Sequence, residues 1–188
     1  MVAQDILKKM ISNRFQRNFV IPHYTPPKWW ECDIFEITKS GFFVEYEIKV
    51  SRSDFFADTK KRRQIFDKEK REYRSFTERD KEGNLIGKCV QIAGPPILYE
   101  SKHDLLSGKN PDGPTRFWYA TPQGLLKPEE IPAWAGLVEV GELGWETRIK
   151  HAPRLHKEKY QHRAQAEKIC YWRMHTLLQR VVAVPKEL

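Results

Sequence analysis

The sequence predicts an α/β protein, a central mixed β-sheet flanked by helices, in a single domain spanning all 188 residues. Three observations carry that expectation. Glu31 to Ser51 alternates apolar and charged residues on either side of Lys39-Ser40-Gly41, as a hairpin does. Arg116 to Thr121 contains Phe117-Trp118-Tyr119-Ala120, whose unbroken apolarity suits a strand buried on both faces. The two ends of the chain place apolar residues at helical spacing. A chain of this length can bury a core without disulfides or metal staples.

The first helix spans Ala3 to Phe15, with Ile6, Leu7, Met10, Ile11 and Phe15 on one stripe that covers the sheet. Asn18 to Lys28 holds Pro22, Pro26 and Pro27, cannot remain helical, and reads as an extended connection to the first strand. Trp29 and Trp30 follow; packing is preferred for at least one of them, and Trp30 is also placed to stack on a nucleic-acid base.

The hairpin determines the candidate site. If Thr38 pairs with Phe42 and Gly41 takes the left-handed conformation that such a loop needs, Asp33 falls opposite Glu47. Along the second strand Glu45, Glu47 and Lys49 then share one face, and Val44, Tyr46, Ile48 and Val50 the other. Converging carboxylates repel one another unless a positive charge intervenes, and oxygen donors of this kind suit Mg2+ or Mn2+. A lysine beside them can activate water and stabilise charge developing on a phosphate. The alternative is a solvated strand face with cross-strand ion pairs.

Ser51 and Asp54 form a capping box that starts a helix running to about Phe76. Its polar side carries Lys60, Lys61, Arg62 and Arg63, which read either as a solvated face or as contacts to a substrate backbone. From Thr77 to Thr115, glycines and prolines break the pattern, which suggests an insertion or lid with a short strand at Cys89–Ile92 and a helical turn or two between Leu98 and Leu106. Pro128-Glu129-Glu130 starts a short helix, Gly136 to Val140 is a strand, and Trp145 to Ile149 a last one. The terminal helix, Lys157 to Val182, aligns Tyr160, Ala164, Tyr171, Met174, Leu178 and Val181. Core packing is the preferred role of that stripe, against the sheet or against a second copy in a homodimer. His151 and His156 have the spacing of half a zinc site, but no cysteine half accompanies them.

Composition narrows the partner. Lys plus Arg number 33 against 25 Asp plus Glu, giving a net charge of +8 and a pI near 9.4. That balance suits a polyanion such as DNA and argues against an enzyme for basic proteins. Three cysteines without framework spacing indicate a reduced, cytoplasmic protein. No apolar run approaches the length of a membrane span, and no secretory signal is seen at the start.

Asp33 followed by Glu47-Ile48-Lys49 resembles the signature of the PD-(D/E)XK nuclease superfamily. Glu31-Cys32-Asp33-Ile34-Phe35, Glu45-Tyr46-Glu47-Ile48-Lys49, Ser51-Arg52-Ser53-Asp54-Phe55 and Arg116-Phe117-Trp118-Tyr119-Ala120-Thr121-Pro122 are similar, more narrowly, to the MmcB-like DNA-repair nucleases and their phage and prophage relatives. The resemblance runs from about Ile21 to Leu155 and is poor from Asp67 to Lys102; Cys32 stands where the signature has its proline. It implies a restriction-endonuclease-like sandwich and Mg2+- or Mn2+-dependent hydrolysis of DNA in repair, recombination or phage DNA processing. It also implies Asp33, Glu47 and Lys49 as catalytic residues, with Asp33, Glu47 and the Ile48 backbone carbonyl as metal ligands. Glu45 is a second-metal or supporting candidate; Asp54, Asp58 and Glu31 are weaker ones. Arg52 joins Lys60, Lys61, Arg62, Arg63 and Trp30 as candidates for DNA contact. The rival of a different class is a nucleic-acid-binding module with this fold and no hydrolysis; an unrelated basic interaction protein with a fortuitous hairpin is a third.

Overall fold

A computed structural model describes residues 1–66, 73–92, 97–108 and 110–182. Helix α1 (Ala3–Arg14) buries Ile6, Leu7 and Met10, while Phe15 caps its end and is exposed. Strand β1 (Phe19–Tyr24) pairs antiparallel with β2 (Cys32–Ile37), so the connection expected to be extended is extended but also part of the sheet. Pro22 is tolerated because β1 is an edge strand, where a missing N–H leaves no ladder partner unsatisfied.

Strands β2 and β3 (Phe43–Ile48) form the hairpin in the expected register, with Ile34 opposite Tyr46 and Phe35 opposite Glu45. The Thr38 N–H donates to Phe42 O at 3.0 Å, and Gly41 sits at φ +85°, a conformation that a side chain would strain. Helix α2 (Arg52–Asp58) starts where the Ser51 hydroxyl accepts the Asp54 N–H.

The helix expected to reach Phe76 ends at Asp58. Strand β4 (Arg62–Phe66) follows, then β5 (Tyr73–Arg79), β6 (Leu85–Ile92) and β7 (Ile97–Ser101). β4 pairs with β7 and β5 with β6, two antiparallel ladders nested in chain order. Two forces end the helix. Asp58 turns its carboxylate into the core, where Lys49, Lys61, His103 and Tyr119 hold it. Arg62 to Phe66 then finds backbone partners far away in sequence, and seven residues of helix are too few to resist such pairing.

Helix α3 (Lys102–Ser107) buries Lys102 and Leu106, so the region expected as an insertion or lid supplies core residues. Strand β8 (Arg116–Pro122) lies between β3 and β9 (Ala135–Val140) and is parallel to both, as its apolar run predicts. A 3-10 turn at Pro128–Glu130 precedes β9; β10 (Glu146–Lys150) closes the sheet and α4 (Arg163–Val182) follows. The result is a six-stranded mixed sheet in the order β1-β2-β3-β8-β9-β10.

Two apolar layers sandwich it. Ile34, Val44, Tyr46, Ile48, Trp118, Ala120 and Val138 pack with the buried face of α1. Phe35, Phe43, Phe117, Tyr119 and Leu137 pack with Phe55 of α2, Leu106 of α3 and Ala166 of α4. Each large apolar side chain so buried contributes about 1.5–3 kcal/mol. The terminal stripe meets the core-packing expectation only in part: Tyr160 packs against Phe35 and Phe43 and α4 enters the core through Ala166, but Tyr171, Met174 and Leu178 of the stripe, with Trp172 and Leu177 beside them, are exposed. Among the described residues, no helix is long and apolar enough to cross a membrane.

Candidate active site

Odd-numbered side chains of β3 point toward the layer that contains Phe43, which puts Glu45 and Glu47 on one face with Lys49 just beyond. The Lys49 N–H continues the ladder by donating to Ala120 O at 2.9 Å, so its backbone is held like a strand residue. All three side chains are buried, at 0% exposure for Glu45 and 3% for Glu47 and Lys49. Buried charges of this kind persist only where partners compensate them.

The partners are lysines. Lys102, fully buried, places Nζ 2.6 Å from Glu45 Oε1 and 2.8 Å from Glu47 Oε2. Lys49 Nζ donates to Glu47 Oε1 at 3.1 Å and to Asp58 Oδ1 at 3.0 Å. Lys61 bridges the same two carboxylates, Glu47 Oε1 and Asp58 Oδ1. On its other oxygen, Asp58 accepts the Tyr119 hydroxyl at 3.1 Å and lies 3.1 Å from His103 Nε2. Glu45 Oε2 accepts the Trp29 indole N–H at 2.7 Å, which gives that buried tryptophan its polar partner.

Charge balance sets the protonation states. Burial pushes Glu47 up, but Lys102, Lys49 and Lys61 outweigh it and hold its carboxyl below the ordinary range. Asp58 is held well below the ordinary carboxylate range, against its burial, by His103, Lys49 and Lys61. Glu45 is raised, chiefly by complete burial. Asp33 is also raised, first by burial and then by the charge of Glu47 beside it.

Asp33 precedes Ile34, whose partner across the hairpin is Tyr46. Asp33 Oδ2 accepts the Ile48 N–H at 2.7 Å. With Glu47, Ile48, Lys49, Asp54 and Lys61 it lines a cavity of about 270 Å³, closed on one side by Ala3, Gln4 and Leu7 of α1. Asp54 is 3.8 Å from Lys49 and half-exposed, and Glu31 is exposed beside His23.

The candidates for polyanion contact divide. Lys60 and Arg62 are exposed. Lys61 is engaged by the site, and Arg63 is a structural anchor: it pairs with Glu100, donates to Trp29 O and Lys28 O, and lies 4.0 Å over the Trp30 ring. That stack covers one face of Trp30. Arg52 forms a forked pair with Glu130. Lys60, Lys61, Arg62 and Arg63 do not form one face of a helix, because α2 has ended before them.

Lys102, His103 and Tyr119 escape a reading of the sequence. No periodicity marks Ser101-Lys102-His103-Asp104 as anything but a polar helix start, and Lys102 acquires its meaning only when α3 docks behind β3.

Among the described residues, no group of three or more His, Cys, Asp or Glu side chains is arranged to hold a metal ion. Glu45 does not fit a ligand's role, since it is fully buried behind Lys102 and Trp29 and does not line the cavity. Asp33 and Glu47 do fit in type and place: both are carboxylates on one open cavity with the Ile48 backbone beside them, although Glu47 becomes a ligand only as the exposed one of its lysines, Lys61, gives way.

Fold and site together define an α/β protein with a mixed six-stranded sheet and a buried carboxylate–lysine cluster at the end of its central hairpin. No protein-family model and no curated protein matches the chain. Its fold is similar to the solved structure of a protein of unknown function from Silicibacter pomeroyi, with a TM-score of 0.56 at 14% identity, over 100% of this chain and 99% of the other.

Proposed function

We propose that this chain is a nuclease of the PD-(D/E)XK type, with a restriction-endonuclease-like sandwich, that hydrolyses DNA phosphodiester bonds with Mg2+ or Mn2+. One observation carries the reading. The two carboxylates and the lysine of the signature, Asp33, Glu47 and Lys49, line a single cavity, with Lys49 within hydrogen-bonding distance of Glu47. Asp33, Glu47 and the Ile48 carbonyl would hold the cation. When bound there it would neutralise charge on a scissile phosphate and make water more acidic.

The chain's own residues do the rest. Lys49, oriented by Asp58, offers an ammonium that can position a nucleophilic water and stabilise phosphate charge. Asp58 is fixed in turn by Tyr119 and His103, so the Lys49 side chain has little freedom to leave. Exposed Lys60 and Arg62, together with the net charge of +8, favour a DNA backbone nearby.

The test is an assay of the pure protein on linear, circular, single-stranded and branched DNA with Mg2+, Mn2+ or chelator, beside Asp33→Asn and Lys49→Met. Cleavage that requires metal and falls at least about 100-fold in both variants is expected, as for groups that act as one unit. DNA binding with no metal-dependent cleavage on any substrate would replace this reading with that of a non-catalytic nucleic-acid-binding module.

A further inference from the structure

Among the described residues Glu47 has three ammonium partners, and they differ in exposure. Lys102 is 0% exposed at its side chain and Lys49 is 3% exposed, whereas Lys61 is 42% exposed. Lys61 sits on the short turn between α2 and β4, at the mouth of the cavity that Asp33 and Glu47 line. It alone of the three can leave Glu47 and reach solvent without opening the core. Its flexible four-carbon stem and compact charge suit such an exchange.

The charges of the cluster say what would replace it. Among lysines and their carboxylate partners, Glu45, Glu47 and Asp58 are matched one for one by Lys49, Lys61 and Lys102, with His103 a further partner of Asp58 that adds charge only when protonated. Asp33 and the half-exposed Asp54, which line the same cavity, add further negative charge, and withdrawing Lys61 raises that excess by one, which favours a divalent cation.

We propose that Lys61 is an internal counter-ion that occupies Glu47 until a divalent cation displaces it, and that the released ammonium then faces the substrate phosphate at the cavity mouth. This rests on the metal-dependent reading above and adds a competitor to it. A ligand's apparent affinity falls in proportion to the time its site is blocked. A Lys61 engaged about nine-tenths of the time would therefore weaken the cation about tenfold.

Two measurements on the full chain without DNA decide the matter. Mn2+ binding followed by electron paramagnetic resonance should tighten about tenfold in Lys61→Met, and similarly in Lys61→Gln, which covers the case in which the methionine variant fails to fold. Acetylation of the wild type, read by mass spectrometry, should proceed several-fold faster at Lys61 in saturating Mg2+, with Lys60 unchanged as the internal control. Equal Mn2+ affinity in wild type and variants, abolished by Asp33→Asn, with Lys61 labelling indifferent to Mg2+, would overturn the counter-ion role and leave the metal-dependent reading intact. No Mn2+ binding by any of the proteins would remove both.

Discussion

Replacing Lys102 with methionine keeps the volume of the side chain and deletes the charge between two buried carboxylates. Lys102 Nζ lies 2.6 Å from Glu45 and 2.8 Å from Glu47, with no solvent access, so neither acid gains water in exchange. Removing one partner of a buried ion network costs about 3–5 kcal/mol, because the remaining charge stays desolvated. With a urea m-value of roughly 2 kcal/mol/M for a domain of this kind, the midpoint should fall by about 1.5–2.5 M. The loss should also depend on pH with a definite sign. Glu45, already raised by burial with Lys102 opposing the rise, moves further up without it, so its contribution is intact below about pH 4 and is lost as pH rises through the raised value. Urea melts of wild type and Lys102→Met at pH 5 and pH 8 should therefore differ more at pH 8. A midpoint shift under about 0.5 M, or an equal shift at both pH values, would refute the claim that Lys102 holds the acid pair together.

Two further outcomes follow from exposure. Neutralising Lys60 and Arg62 together should lower the salt slope of DNA binding by about 0.9 for each phosphate that the protein no longer neutralises, measured by anisotropy titrations at several salt concentrations, while Arg63→Ala should act mainly on stability, since its guanidinium is engaged by Glu100, Trp30 and two carbonyls. Trp172→Gln and Leu177→Gln, on the exposed face of α4, should each shift the unfolding free energy by less than about 0.5 kcal/mol, whereas Ala166→Asp at the buried start of the helix should cost more than about 3 kcal/mol in urea melts.

Local chemistry made much of the molecule legible. The turn at Lys39-Ser40-Gly41 needs a left-handed residue at its end, and once Gly41 supplies it, pairing parity places Asp33, Glu47 and Lys49 together. The run Phe117-Trp118-Tyr119-Ala120 has no polar side to offer solvent, so it lies inside the sheet between parallel neighbours. The stripe of Ile6, Leu7 and Met10 needed an apolar face to cover and found one. In each case the determining interactions are between residues close in sequence, or follow from the period of one element.

What the sequence by itself could not decide depends on partners distant along the chain. Arg62 to Phe66 has enough helical character to read as a helix, yet it pairs with Ile97–Ser101, a ladder that no local pattern announces. The acidic face of β3 predicted a need for positive charge, but only the docking of α3 shows that Lys102 meets part of it from inside the protein. The basic residues 60 to 63 look alike in sequence, and the fold sends Lys61 into the cavity and Arg63 onto Trp30 while it leaves Lys60 and Arg62 in solvent. Charge in a sequence is only a sum; burial and distance, which tertiary packing alone decides, determine which of those charges bind one another and which remain to meet a ligand.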